Sequence, residues 1–526
     1  VYVKPSDGDF ICDFPQQEVF DSGLKVTIVD VFEAISNLKA SASIGPDGVP
    51  SVVLKKCIFT LTTPLFMLFE ASLRTAIFPD LWKKSYVIPI FKYGKQDNVE
   101  NYRGVCNQSV IPKILDCIVS KRLQWLSSSV LTSNQHGFMK GRSSLSNLLS
   151  YSMFINEAFE ARIQVHSVYT DFAKAFDRVD HNILISKLNY FGFHHDTVNW
   201  LLSFLSGRQQ QVRIGNFKSN SFEVPSGVPQ GTHCGPVLFL IFINDLQFNF
   251  EFSNFLLYAD DLKIFKKISC FEDTIKLQFD LNSLHGWCLK NQLFLNVNKC
   301  YAISFCNRNL RNVFIPSYAI DDVSLKIVDE IKDLGVVFDS KLAFKSHYSM
   351  IFKKALNMWG FLWRHCHMLS TTSLRVLYCS LVRSQVEYCS SVWNPFYKTD
   401  IELLERIQKK FLRCMEFKMG IAHRPGEYDV VMELFKLPPL HIRRTMSDCC
   451  ILHAIINFHL RSPDILSKLS FYAPVSNICT TRGAKIFRVS VAQTNLSLNN
   501  AVRRMMQLGN ILAGYRSVDI FSNPLY

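Results

Sequence analysis

Residues 255–265 read FLLYADDLKIF. Two apolar runs, 255–258 and 262–265, are interrupted by Ala259, Asp260 and Asp261, so the stretch reads as strand, turn, strand. Adjacent carboxylates at a partly buried turn are costly unless a cation neutralises them. The bland reading is an Asp-Asp turn facing solvent. The sharper one is a divalent cation, because a hard ion such as Mg²⁺ takes carboxylate oxygens together with substrate phosphates.

A third carboxylate stands upstream in VYTDFAKAFDRVDH, residues 168–181. Residues 165–170 read as a strand, and Asp171 follows it at the entry to a turn, where a side chain can point into a cleft. If folding brings Asp171 to Asp260 and Asp261, the three could bridge two metal ions and a triphosphate. One ion would activate a hydroxyl nucleophile and the other would stabilise the leaving pyrophosphate oxygen. Asp177 and Asp180 lie in or after the turn and are not expected to be ligands.

Further out, helical spacing is predicted over residues 26–38, 52–56, 64–74, 181–191 and 274–290, and strands over 86–91 and 293–297. GPDGVP at 45–50 is a rigid loop, and 92–101 a polar hairpin connection. Beyond residue 341 the pattern is helical. It is clearest at 401–415, where Leu404, Ile407, Phe411 and Met415 share a face, with Glu402–Arg406 and Glu405–Lys409 as i,i+4 pairs. Lys353, Lys354, Arg364, Arg375, Arg383, Arg406, Lys409, Lys410 and Arg413 give helical surfaces suited to a phosphate backbone; a solvated helix face is the plainer alternative.

The chain has 526 residues, 48% hydrophobic and 19% charged, enough apolar content for a sizeable core. Its formal charge of +14 biases it toward nucleic acid or an anionic membrane surface. The strongest apolar run, PVLFLIFINDL at 236–246, is about half the roughly 20 residues a spanning helix needs, so no membrane association is expected. The 16 cysteines are scattered without a CxxC, and His365, Cys366 and His367 lack the second half of a metal site. Reduced cysteines in an intracellular protein are expected. The chain opens on Val1 without a signal peptide, as a piece of a longer polypeptide would.

The order TDFAKAFD (170–177), SGVPQG (226–231) and YADD (258–261) resembles motifs A, B and C of reverse transcriptases, specifically those of non-LTR retrotransposons of the jockey and long-interspersed-element type. NYRG at 101–104, QHGFMKGRSSLSNLL at 135–149, LNVNK at 295–299, KDLGV at 332–336 and SLVRSQVEYCSSVWNP at 380–395 match the family's other segments in order, over roughly residues 40–450. The resemblance implies an α/β right-hand polymerase: fingers, a palm whose antiparallel sheet carries the YADD hairpin, a helical thumb, and a mainly helical C-terminal region. The expected division is 1–70 as N-terminal linker and fingers lead-in, 71–341 as fingers and palm, 342–425 as thumb and 426–526 as a region of unknown role.

The implied activity is RNA-directed DNA synthesis. Carried over by position, Asp171, Asp260 and Asp261 are the metal-binding triad for two Mg²⁺ ions, with Mn²⁺ as a substitute. Lys299 is the general acid toward pyrophosphate, Lys92 and Arg103 grip the triphosphate, and Phe176 is the steric gate against a ribose 2′-OH. Gln230 and Gly231 position template and nucleotide, and Tyr258 lies in the substrate site. Implied partners are an RNA template, a DNA primer or target and dNTPs, in a ribonucleoprotein of nucleus and cytoplasm; an endonuclease is expected ahead of Val1. Gly104, Val105 and Cys106 depart from the family pattern and predict a looser turn aiming Arg103; Thr232, His233 and Cys234 depart from it after PQG, and both changes bear on nucleotide affinity and fidelity. The rival readings are a catalytically inactive, element-derived RNA-binding protein and an intron-maturase-like polymerase.

Overall fold

Alternating apolar and β-branched residues in 164–170 and 254–268 build the central sheet. The computed structural model describes residues 10–16, 18–306, 313–421, 427–472, 485–492, 494–514 and 520–521. Strands β1 (Lys84–Phe91) and β2 (Tyr102–Gln108) form an antiparallel hairpin across the polar 92–101 connection, and β3 (Gln164–Thr170) follows. Strand β4 (Arg208–Ile214) returns parallel to β1, and β5 (Phe217–Lys218) and β6 (Phe222–Val224) lie antiparallel to β4. Strands β7 (Asn254–Tyr258) and β8 (Asp261–Ile268) are the two halves of the FLLYADDLKIF hairpin. After them come β9 (Tyr301–Phe305), a small hairpin of β10 (Ala319–Ile320) and β11 (Val323–Ser324), β12 (Lys326–Ile327), and a second hairpin of β13 (Glu330–Asp333) and β14 (Val336–Asp339). The central sheet runs β12-β9-β3-β8-β7, with β3 in the middle.

Period-two alternation gives that sheet two buried faces. Val168, Ile264 and Ala302 pack beneath helices Val110–Ser127, His181–Tyr190, Cys234–Ile243 and Phe271–Lys290. Val165, Phe265 and Ile303 face the opposite way, against helix Ser144–Glu160 and the C-terminal helices Leu440–Ile456 and Ala501–Ala513. A separate helical core joins Lys345–Cys366 to Lys398–Met419 through Trp359, Phe411 and Met415, with Tyr378 stacked on Phe411 at 4.2 Å. Leu404, Ile407, Phe411 and Met415 are all buried, as their spacing predicts. Among the described residues no helix is long and apolar enough to cross a membrane.

Several expectations are corrected. Residues 293–297 are not a strand: only Leu295 bridges, to Phe172, before a 3₁₀ turn at Val297–Lys299. The helix read from Pro64 starts at Ile58 and keeps Pro64 inside. Burial of Leu65, Phe69 and Leu73 outweighs the missing proline N–H, against the usual placement of proline in a first turn. Glu405 accepts from the Leu440 and His441 backbone N–H groups, capping the following helix, rather than pairing with Lys409. Two of the basic residues assigned to a phosphate-binding surface are tied into the fold: Arg375 donates to the Phe435 carbonyl at 2.7 Å, and Arg383 pairs with Glu387 at 3.6 Å. Arg503 and Arg504 also turn inward, Arg503 to Glu160 at 3.4 Å and Arg504 to Asp448 at 3.0 Å. His365 packs on Phe361 at 4.6 Å and His367 lies beside Trp363 at 6.4 Å, so this cluster sits among aromatics of its own helix.

Candidate active site

Strand register brings the three aspartates together. Thr170 pairs with Leu262 across β3 and β8, so the next residue of each strand, Asp171 and Asp261, emerges at the same end of the sheet. Tyr258 pairs with Asp261, leaving Ala259 and Asp260 as a two-residue turn. Ala259 takes a left-handed φ of 58°, which costs a non-glycine residue about 1 kcal/mol. Burial pushes the Asp260 carboxyl up; Asp171 adds to the rise, and Arg103 and Lys92 oppose it. Asp261, at the open mouth of the cleft, is pushed up to about 6 by desolvation first and then by Asp260, Asp333 and Asp171. The carboxylates therefore sense one another, and Arg103 and Lys92 sense Asp260.

Asp171 and Asp261 line a cavity of about 370 Å³ together with Tyr258 and Lys299. Lys299 arrives there because the Asn296 N–H donates to the Asp171 carbonyl at 2.7 Å and the Ala173 N–H to the Phe294 carbonyl at 2.9 Å. Its Nζ lies 3.7 Å from Asp171 Oδ2. The segment read as a strand is thus a backbone strap that delivers a lysine.

Residues 226–231 dock on the turn after Asp171. The Gly227 N–H donates to the Val179 carbonyl at 2.7 Å and the Val228 N–H to the Phe176 carbonyl at 2.8 Å. Gln230 donates to Asp177 Oδ1 at 3.0 Å, while its carbonyl accepts the Cys106 N–H at 2.6 Å. Gly231 has a φ of 110°, and a Cβ there would lie 2.8 Å from the Cys106 carbonyl oxygen, so only glycine fits this approach to β2. The Phe176 ring is half-buried, stacked on Phe239 at 4.4 Å and edge-on to Phe138 at 6.2 Å. Asp177 is held by Gln230, and Asp180 caps helix His181–Tyr190 by accepting the Ile183 N–H at 3.0 Å, so both acids have structural work. Lys92 and Arg103 are exposed at the tip of the β1–β2 hairpin, where Arg103 pairs with Ile90 in unbroken register. The loosening predicted from Gly104, Val105 and Cys106 is absent. Pairing continues through them, and Cys106 is buried against the Gln230 segment.

Two groups near the triad escaped sequence reasoning. Lys263, two residues beyond Asp261, is buried and ion-paired with buried Asp333, which also accepts from Tyr169 Oη at 3.3 Å. Gln135 lies against the Ala259 turn. Asp333 and Gln135 sit inside quoted motifs, KDLGV and QHGF, and that membership was the available signal.

The donor set suits a hard cation: Asp171 and Asp261 line the cavity, open to solvent at Asp261, Asp260 in the adjoining turn is electrostatically coupled to both, and the cavity lining holds no thiol or imidazole. Among the described residues, the trio whose ligand atoms all lie within 4.8 Å is a different one, His194, His195 and Asp196, which is accounted for by ion pairs to Asp196. The wider spread of the triad fits ions shared with substrate phosphates rather than a closed protein cage. Since the folded Asp261 binds a proton more readily than an ordinary carboxylate, this group costs the cation-free fold stability as pH rises toward and past 6. Bound cation relieves that repulsion. The thermal-shift gain on adding Mg²⁺ should therefore be larger at pH 7.5 than at pH 5; an equal gain would contradict the assignment.

Residues 92–338 match the family model described as reverse transcriptase (RNA-dependent DNA polymerase). Over 404 residues the chain is 27% identical to "Probable RNA-directed DNA polymerase from transposon BS" of Drosophila melanogaster, covering 74% of this chain and 44% of that protein. It is also 27% identical to "RNA-directed DNA polymerase from mobile element jockey" of Drosophila funebris, covering 74% and 43%. The chain thus spans less than half the length of these curated relatives. A telomerase structure from Candida tropicalis overlays 50% of this chain and 55% of its own at 12% identity and a TM-score of 0.35, too loosely to bear on the argument. The triad on its sheet and the family match define a right-hand polymerase, and the chain carries a reverse transcriptase domain. The curated relatives it resembles are RNA-directed DNA polymerases of mobile elements.

Proposed function

We propose that this chain performs RNA-directed DNA synthesis for a non-LTR retrotransposon, adding dNTPs to a primer 3′-hydroxyl on an RNA template. The convergence of Asp171, Asp260 and Asp261 at one end of the central sheet, inside the family match, carries this reading. Those three side chains would hold two Mg²⁺ ions, or Mn²⁺, which when bound supply Lewis-acid charge for the nucleophile and the leaving group. A bond forms from the primer O3′ to the α-phosphorus, and the bond from that phosphorus to the β-bridging oxygen breaks, releasing pyrophosphate. Arg103 and Lys92, whose charges reach Asp260, would orient the triphosphate, Arg by paired donors and Lys as a point charge. Lys299 would hold a proton at Nζ for the departing pyrophosphate. Gln230 and Gly231, pinned to β2 and to Asp177, would position template and nucleotide, and Tyr258, which lines the cavity beside Asp171 and Asp261, would contact substrate. RNA template, DNA primer or target and dNTPs are the proposed partners, in a ribonucleoprotein of nucleus and cytoplasm.

Phe176 provides the test of sugar choice. Backed by Phe239, its ring cannot retreat when a 2′-hydroxyl presses on it. Phe176→Val should lower discrimination against rNTPs by about tenfold or more in primer extension, because a steric pocket discriminates by that order per group removed. Unchanged discrimination, or a wild type that already prefers rNTPs, would overturn the substrate assignment.

A further inference from the structure

The turn that carries Asp260 does not hold itself. Ala259 is left-handed and buried, and its N–H and carbonyl must be satisfied from outside the hairpin. A single side chain does both. Gln135 Oε1 accepts the Ala259 N–H at 2.9 Å, and Gln135 Nε2 donates to the Ala259 carbonyl at 3.2 Å. The same Oε1 accepts the Gly137 N–H at 2.8 Å, which fixes the amide's orientation. Gln135 is 2% exposed, so water cannot replace these bonds.

The segment bearing Gln135 is itself anchored to the hairpin edge. The Leu257 N–H donates to the Asn134 carbonyl, and the Leu257 carbonyl accepts the His136 N–H, both at 2.9 Å. Asn147, from helix Ser144–Glu160, donates to the Leu257 carbonyl at 3.0 Å. Closeness is enforced at Gly137, where a Cβ would lie 2.3 Å from the Ala259 nitrogen. Residues 134–137 therefore form a brace along β7 that ends in an amide clamped on the turn.

We infer that Gln135 is a positioning residue for the reaction: it holds the Ala259–Asp260 turn in its left-handed shape and so aims the Asp260 and Asp261 carboxylates. This rests on reading those carboxylates as the cation site. Removing the clamp leaves the hairpin strands paired but frees the turn to relax, and the carboxylates no longer converge. Supporting groups behind metal ligands typically contribute about 10- to 100-fold in metal affinity.

The experiment measures Mn²⁺ binding to the full chain by electron paramagnetic resonance, beside RNA-hairpin binding and thermal unfolding, for wild type, Asp260→Asn, Gln135→Leu and Gly137→Ala. Gln135→Leu deletes the amide, and Gly137→Ala drives a methyl group against the turn at the Ala259 nitrogen. Each should weaken Mn²⁺ binding about tenfold or more, with RNA affinity within about twofold of wild type. The reading of the cation site fails if wild type and Asp260→Asn bind Mn²⁺ equally. The inference fails if wild type binds Mn²⁺, Asp260→Asn does not, and a folded Gln135→Leu binds like wild type. Loss of cooperative unfolding in both Gln135→Leu and Gly137→Ala would assign the brace to stability of the whole domain and also overturn it.

Discussion

Asp260→Asn should lower dNTP incorporation by about a thousandfold or more while leaving the melting temperature unchanged or slightly raised. The direction of the stability effect follows from the native carboxyl. Burial and Asp171 push it upward, so its ionised form is carried at a cost in the cation-free fold. The asparagine amide has the same shape and lacks the charge. It keeps the turn and loses a hard anionic ligand, so the defect should fall on chemistry and cation binding, with RNA affinity retained. Asp171→Asn should match it in activity. Extension within tenfold of wild type by either variant, or a clear drop in melting temperature for Asp260→Asn, would contradict the role assigned to the triad.

Lys187→Met should destabilise the fold by about 3–5 kcal/mol in denaturant unfolding. Lys187, on helix His181–Tyr190, is fully buried and pairs with Asp245 Oδ1 at 2.7 Å. Its Nζ also donates to the Phe242 carbonyl at 2.7 Å and stands 4.5 Å from the Phe242 ring centroid. Through it the helix after the Asp171 turn is fastened to the end of helix Cys234–Ile243, which follows the 226–231 segment. Methionine fills the volume but strands a buried carboxylate. Lys187→Met combined with Asp245→Leu should recover most of the loss, because the cost lies in the uncompensated charge rather than in the pair's own attraction. A single-variant loss below about 1 kcal/mol would show that Asp245 finds water or another donor.

What the sequence made legible was local. The strand-like stretch at 165–170 and the two apolar runs within 255–265 located the strands, and the break at Ala259, Asp260 and Asp261 located the turn. The departures come from partners distant in sequence. LFLNV looks like a strand by composition, but β3 ends at Thr170, leaving Phe172 as the bridge for Leu295. Lys263 reads as one more cation on an amphipathic strand until Asp333, from a hairpin much further along the chain, is seen to bury it. Arg503 and Arg504 show in the sequence only as a basic, helical bias, and it is Glu160 and Asp448 that turn them inward. Gln135 carries no periodic signal, because a clamp on backbone atoms leaves no mark on the pattern of the segment it clamps.

The central claim is tested most directly by primer extension with the purified chain on an RNA template, with Mg²⁺, all four dNTPs and an annealed DNA primer. The account predicts Mg²⁺-dependent, template-directed extension by the wild type, and none when Asp260→Asn replaces it at equal RNA binding. Salt-sensitive RNA binding without extension by the wild type, or equal extension by the two proteins, would contradict it.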